Sequence, residues 1–127
     1  MIKEKKLENQ VILVGFVAEN EIEDYYATAD IFIMPSTGEG FGISLIEAAY
    51  YGKKVIAGNE DGSVDALQNG KFGKLINPNS IDKIVESVTA YINKPAPSLA
   101  FQNLVFETFC YNSYKKRIEE ILCWISY

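Results

Sequence analysis

A chain of 127 residues has room for one domain with one core. Its 48% hydrophobic and 23% charged residues are the proportions of a soluble globular protein. A net charge of −5 argues against a general nucleic-acid-binding surface, and the absence of histidine excludes Ser-His or Cys-His catalysis within the chain.

No apolar run reaches the ~18 residues of a membrane span, and no signal peptide is visible. Cys110 and Cys123 match no zinc or redox spacing. Both stand in apolar stretches, so buried reduced thiols are expected, which fits a cytoplasmic compartment. The basic clusters Lys3-Glu4-Lys5-Lys6, Lys53-Lys54 and Lys115-Lys116-Arg117 read as solvated helix faces and turns. A weak contact with an anionic membrane is the other reading.

In chain order, Lys3 to Glu8 reads as the end of a helix. Gln10 to Phe16 follows as a buried strand, a short apolar run ended by glycine. Asn20 can cap a helix running to about Ala29, with Glu21 and Glu23 in its dipole-favoured first turn. Asp30 is a turn residue before a second strand, Ile31 to Met34, closed by Pro35. Gly42 to Tyr51 is the next helix, and Gly52 stops it. Lys54 to Ala57 is a third strand, Gly58 to Gly62 a polar loop, and Ser63 to Asn69 a short helix. Lys74 to Ile76 is a fourth strand. Asn79 or Ser80 caps a helix to about Asn93 with Ile81, Ile84, Val85, Val88 and Ile92 on one face. After the break at Lys94-Pro95-Ala96-Pro97 come helical segments from Ser98 to Thr108 and from Ser113 to Ser126. The last carries Ile118, Ile121, Leu122 and Ile125 on one face.

Strands alternating with helices of about 10 residues indicate an α/β domain with a parallel sheet. Such sheets bind ligands outside the carboxyl ends of their strands. The loop from Pro35 to Gly42 leaves one such end. It holds a glycine turn, Gly40-Phe41-Gly42, and opens a helix, so it presents backbone N–H groups to an anion. Glu39 lies just before the helix and Glu47 inside it. Carboxylates beside an anion site suit a ligand with both phosphates and hydroxyls, such as a nucleotide sugar. Read as a buried residue between Ile46 and Ala48, Glu47 needs hydrogen-bonding partners. The plain alternatives are an N-terminal helix charge for Glu39 and a structural carboxylate for Glu47. Phe41 reads equally as packing, Ser44 as a cap, and Tyr50 and Tyr51 as core and surface aromatics.

The ordered set of these motifs resembles the C-terminal, donor-binding domain of retaining GT-B glycosyltransferases, the glycogen synthase-like family four. Glu39 and Glu47 have the spacing of that family's Glu-x7-Glu motif. Gly52-Lys53-Lys54-Val55-Ile56-Ala57 is similar to its Gly-x-Pro-Val-Ile-Ala, with lysine for proline. Val14-Gly15-Phe16-Val17 resembles the upstream strand and turn, Asn69-Gly70-x-x-Gly73 the downstream glycine turn, and Asn112-Ser113-Tyr114 the Phe-Ser-Trp opening the last helix. The likeness covers roughly residues 7 to 93 and the final helix.

The resemblance implies a partial Rossmann-like sheet with flanking helices. It also implies roles. Glu39 meets the donor sugar near its anomeric centre. Backbone N–H groups of Phe41, Gly42, Ile43 and Ser44, after the turn at Gly40, hold the distal phosphate. Glu47 accepts from the ribose, and the backbone at Phe16 and Val17 meets the base. No metal is required, and none of Asp24, Asp30, Asp61 and Asp65 forms an Asp-x-Asp motif. The family's basic pair for the donor diphosphate sits near the start of its domain, and Lys53, Lys54 and Lys71 are poor substitutes for it, because the reading puts them at turns away from the strand ends.

Two departures stand out. The family's Gly-Gly-x-x-Glu loop is Asp61-Gly62-Ser63-Val64-Asp65 here, so either Asp65 replaces the glutamate or that contact is lost. The chain also opens late. It reads as one truncated donor-binding domain over 1–127, with 98–127 as a terminal helical segment and a βαβ-sized piece of about 30 residues or more absent. Its expected cleft is incomplete, and its exposed sheet edge invites self-association. The intact enzyme is expected to transfer a hexose or N-acetylhexosamine from a UDP-sugar to a lipid-linked saccharide, in bacterial O-antigen, lipopolysaccharide or capsule assembly. It is expected in the cytoplasm or peripherally at the inner face of the membrane. The competing readings are a non-catalytic nucleotide-binding module and a doubly wound interaction domain. The absence of Gly-x-Gly-x-x-Gly argues against a dinucleotide dehydrogenase.

Overall fold

The computed structural model describes residues 1–125. A 3-10 turn at Glu19–Glu21 leads into α1 (Ile22–Thr28). Then follow β1 (Ile31–Met34), α2 (Ile43–Tyr50), β2 (Lys54–Gly58), α3 (Ser63–Ala66) and β3 (Lys74–Ile76). Three helices close the chain: α4 (Ile81–Ile92), α5 (Leu99–Phe109) and α6 (Tyr111–Ile125). The three strands form one parallel sheet in the order β1-β2-β3. This is the expected α/β architecture, a Rossmann-like sheet with flanking helices.

Register fixes the two faces. Phe32 pairs with Val55, Met34 with Ala57 and Ala57 with Leu75, so all point to one side. There they meet Leu45, Ala48 and Ala49 of α2, Ala66 of α3 and Val105 of α5. Ile56 and Ile76 point to the other side, which α4 covers along all three strands. Full burial of side chains such as Leu45, Ile56 and Phe72 contributes about 1.5–3 kcal/mol each. The alanines of α2 matter equally, because a small side chain lets the helix approach the sheet closely.

Capping explains several boundaries. Ser80 Oγ accepts from Lys83 N–H at the start of α4, and Ser98 Oγ accepts from Phe101 N–H at the start of α5. At and just beyond the end of α4, Lys54 Nζ donates to the carbonyls of Tyr91 and Lys94 at 2.8 and 2.9 Å, placing a cation where the helix dipole favours it.

Several expectations are corrected. Gln10 to Phe16 is not a strand. It joins no ladder, and Ile12, Leu13 and Phe16 are 81%, 82% and 95% exposed. A run of strand-forming residues holds a strand only with a ladder partner and cover on its faces. Here β1 is the edge of the sheet, and Gly15 takes a left-handed φ of 75°. Lys3 to Glu8 forms turns, with Lys6 at φ 55°, and not a helix end. Asn20 caps nothing, because it lies inside the 3-10 turn closed by Glu21 N–H on Ala18 O.

On α4, the buried side is Ile84, Ser87, Val88 and Tyr91, while Ile81, Val85 and Ile92 are exposed. The hydrophobic stripe was read one step off, because Ser87 reaches back to Lys83 O at 2.7 Å and tolerates burial. α6 starts at Tyr111, ahead of Ser113, and Ser126 lies outside the described residues. Ile118, Ile121 and Leu122 are exposed on it. Neither cysteine is buried: Cys110 is half-buried at the junction of α5 and α6, and Cys123 is exposed. Helix periodicity alone does not supply a covering surface.

Removing a fully enclosed side chain from the central strand should cost far more than trimming the exposed run. Ile56→Ala is expected to lower stability by about 2–5 kcal/mol, and Ile12→Ala by less than about 0.5 kcal/mol. Urea unfolding followed by circular dichroism checks both. A comparable loss in Ile12→Ala would mean that residues 11–16 are packed.

Candidate functional site

The carboxyl ends of β1 and β2 send out two loops that lie against each other. The first, from Pro35 to Gly42, enters α2. The second, from Asn59 to Gly62, enters α3. Their contact is so close that a Cβ at Gly62 would overlap Gly40 O and lie 2.8 Å from Phe41 Cα. Only glycine fits there.

Asp61 locks the junction. Its Oδ2 accepts from Glu39 N–H at 2.7 Å, and its Oδ1 accepts from Ser63 N–H at 3.0 Å. Gly62 N–H donates back to Glu39 O at 3.1 Å. The Glu39 N–H, then the Ser63 N–H and hydroxyl, hold the Asp61 carboxyl below its ordinary range. Sequence reading counted Asp61 only as a scattered carboxylate and gave the possible sugar contact to Asp65. In the structure Asp65 is exposed on α3. The available signal was the Asp-Gly-Ser order, an Asx-type turn that opens a helix.

Gly42 precedes α2 with φ 86°, a left-handed conformation that turns the chain into the helix without a side-chain cap. The backbone N–H groups of Phe41, Gly42, Ile43 and Ser44 donate to no group among the described residues. Open N–H donors at a helix start carry partial positive charge that favours an anion. Glu39 is half-buried beside it, since its Cγ would lie 3.4 Å from a Cβ at Gly42. Ser44 is not a cap: its Oγ turns to Met34 Sδ at 3.7 Å.

Glu47 is exposed on α2, contrary to the buried placement expected. The reason is that α2 buries Leu45, Ala48 and Ala49, and position 47 falls on the opposite side. Its partner is Tyr26, whose hydroxyl donates to Glu47 Oε2 at 3.0 Å; a longer contact reaches Ser44 O at 3.4 Å. Burial first, and the Glu47 carboxylate second, push the Tyr26 hydroxyl above its ordinary range. Tyr26 also stacks on Tyr51, with ring centroids 5.3 Å apart. Nothing in the sequence spacing joined Tyr26 to Glu47, since α1 and α2 meet only through tertiary packing. Glu47 Oε1 accepts from nothing among the described residues.

Glu47 and Phe41 border an apolar groove of about 480 Å³ between α2 and α5, with Tyr50 and Phe106 on its walls. Phe41 meets Phe109 edge-on at 6.5 Å. Val17 lies with Tyr26 and Phe32 around a smaller apolar pocket, while Phe16 stands in solvent. The structure therefore gathers Glu39, Gly40, Phe41, Gly42, Ile43, Ser44 and Glu47 around one helix start, brings Val17 to Tyr26, and leaves Phe16 apart. Among the described residues no three His, Cys, Asp or Glu side chains come together as a metal ion would need.

Residues 1–103 match the family described as Glycosyl transferases group 1. The chain belongs to this family. A 41.2 kDa uncharacterized protein in the cps region of Klebsiella pneumoniae is 33% identical over 88 residues, 69% of this chain and 25% of that protein. A GDP-mannose-dependent α-(1-6)-phosphatidylinositol monomannoside mannosyltransferase of Mycobacterium tuberculosis is 34% identical over 87 residues, 63% of this chain and 23% of that one. The 2-deoxystreptamine N-acetyl-D-glucosaminyltransferase of Niallia circulans is 35% identical over 85 residues, 67% of this chain and 22% of its own length. The chain thus spans about a quarter of these relatives. Among the described residues no helix of this glycosyltransferase-family chain is long and apolar enough to cross a membrane.

The Asp61 junction has a pH signature. A carboxyl held low in the folded state binds fewer protons than in the unfolded chain. Its contribution is therefore complete above the unfolded pKa, near 3.8, and is lost as pH falls through the lower folded value. Asp61→Asn should flatten the rise of stability with pH between about 3 and 5. Chemical denaturation across that window measures it, and an unchanged slope would show that Asp61 does not hold the loops.

Proposed function

We propose that this chain supplies the donor-binding half of a retaining glycosyltransferase of the family-four, Glu-x7-Glu type, as one domain over 1–127 with a terminal helical segment at 98–127. The observation that carries the reading is the set of four unsatisfied N–H groups from Phe41 to Ser44, flanked by Glu39 and Glu47. A nucleotide diphosphate sugar matches it part by part. Its distal phosphate takes the N–H groups. Its sugar hydroxyls donate to Glu39 near the anomeric carbon. Its ribose hydroxyls donate to Glu47, whose other oxygen is steadied by Tyr26. The base lies toward the backbone at Phe16 and Val17.

The reaction follows from this placement. The acceptor hydroxyl approaches the anomeric carbon on the face from which the nucleotide diphosphate leaves. The bond from carbon to phosphate oxygen breaks, the new glycosidic bond forms on the same face, and the leaving phosphate takes the acceptor proton. Backbone N–H groups stabilise the charge that grows on the phosphate. Glu39 positions the sugar and stabilises positive character at the anomeric carbon. No metal is required in this scheme.

The donor is a UDP-hexose or UDP-N-acetylhexosamine, and the acceptor a lipid-linked saccharide in bacterial O-antigen, lipopolysaccharide or capsule assembly, at the cytoplasmic face of the membrane. The Niallia relative's name supports an N-acetylhexosamine, and the Klebsiella relative's cps-region name supports a polysaccharide setting. The mycobacterial relative is named for GDP-mannose, which makes it the natural competitor in a test. On this reading the acceptor is bound by a domain outside this chain, and the chain alone binds donor without transferring it. The open edge of β1 also supports self-association, which sedimentation at rising concentration measures.

Calorimetric titration with UDP, UDP-sugars and GDP-mannose tests the assignment. Glu47→Ala should weaken the preferred donor about tenfold or more, the effect of losing hydrogen bonds to a charged group. Binding of none of these nucleotides, or equal affinity in Glu47→Ala, would sink it.

A further inference from the structure

The opposite pole of the sheet, where the strands begin, carries a second concavity of about 250 Å³. Lys53 and Lys54 come from the start of β2, Lys71 from the turn before β3, and Lys94 from just beyond α4. No Asp or Glu lines it, although acidic residues outnumber basic ones by 17 to 12 in the chain.

Among the described residues the four ammonium groups have no carboxylate partner. Lys54 Nζ rests on the Tyr91 and Lys94 carbonyls, and Lys53 Nζ on Ala27 O at 3.0 Å. Neither exhausts its three N–H donors. Lys71 Nζ lies 5.3 Å from the Phe72 ring centre, and Lys94 Nζ 5.5 Å from that of Tyr91. The ion pairs among the described residues, Met1–Glu4, Lys83–Glu86 and Lys115–Glu119, involve none of them. Four like charges around one cleft repel each other unless an anion joins them. Two exposed apolar side chains are near neighbours in the chain of residues that line the cleft: Ile92, next to Tyr91 at the end of α4, is 65% exposed, and Leu99, two residues after Pro97, is 70% exposed.

Phosphate chemistry fits the lysines, and a phosphate layer above hydrocarbon offers contact as well to exposed apolar side chains next to cleft residues in the chain. We propose that this lysine cleft binds phosphate-bearing anions, and that its occupant is the headgroup layer of an anionic lipid surface. The inference does not depend on the donor site, which lies at the other ends of the strands.

The test is co-sedimentation of the chain with vesicles of phosphatidylglycerol and phosphatidylcholine, or of phosphatidylcholine alone, at low and raised salt. Lys71→Gln/Lys94→Gln removes two exposed charges from the cleft while leaving the carbonyl-bonded pair in place. Lys115→Gln/Lys116→Gln removes the same charge from α6, and circular dichroism verifies that both variants fold. Binding to the anionic vesicles alone is expected, weakened by salt and reduced about tenfold or more by the cleft variant only. No binding to anionic vesicles, or an equal loss in the α6 variant, would overturn the proposal. Titration with inorganic pyrophosphate separates the sources. Saturable binding lost in the cleft variant, with no vesicle binding, would overturn the lipid assignment in favour of a soluble phosphate compound.

Discussion

Enclosure of β2 on both faces is the constraint from which the rest of this domain follows. Val55, Ile56 and Ala57 are 1%, 0% and 0% exposed, so the strand exists only where helices cover both sides. Val55 and Ala57 draw α2 and α5 to one face, and Ile56 draws α4 to the other. The small residues Ala48, Ala49 and Ala57 bring α2 close to the strand. A helix packed so tightly has little freedom in where it begins. Its first turn therefore falls beside the loop that leaves β2, and the two loops meet at Gly62 without room for a side chain.

That junction is closed by a carboxylate, Asp61. Asp61 accepts two backbone N–H groups, from Glu39 and Ser63, which favour its charged form. Its oxygens are committed to architecture. Among the described residues no hydrogen bond engages the side-chain oxygens of Glu39, and Tyr26 engages only one oxygen of Glu47. Asp61 thus holds loops, while Glu47 is exposed and Glu39 half-buried at the same end of the sheet. Tyr26 serves both purposes, as a buried core residue through its ring and as the orienting donor to Glu47 through its hydroxyl.

Much of this was legible in the sequence, for physical reasons. β1, β2 and β3 are short apolar runs bounded by turn residues, and α2 and α4 carry clear start or stop signals, so local patterning and tertiary packing agree. The helix start after Gly40-Phe41-Gly42 could be read because a glycine turn between strand and helix has few other uses. What failed was whatever needed a neighbour. Gln10 to Phe16 has the composition of a strand, but composition supplies no ladder partner. Glu47 was read as buried because Ile46 and Ala48 flank it, yet adjacent helical residues point to different sides. Asp61 and Tyr26 escaped notice because their partners, Glu39 and Glu47, are 22 and 21 residues away in the chain. Distances of that kind are set by β2 and its coverings.

On the two proposals, the two ends of the sheet would handle negative charge by different means. At the carboxyl ends the donors are backbone N–H groups, partial charges fixed in direction by the fold and effective over a single turn. At the amino ends they are lysine ammonium groups, full charges on flexible stems whose field extends to a Debye length of about 8–10 Å. The first arrangement rewards one shape of ligand and is little affected by salt. The second gathers any polyanionic surface and weakens as salt rises. An α/β domain with net charge −5 would repel anions at long range if its charges were evenly spread. Concentrating four lysines at one pole, without a carboxylate lining the cleft, confines the attraction to that pole. A chain held by that pole would leave the strand carboxyl ends facing away from the surface that holds it.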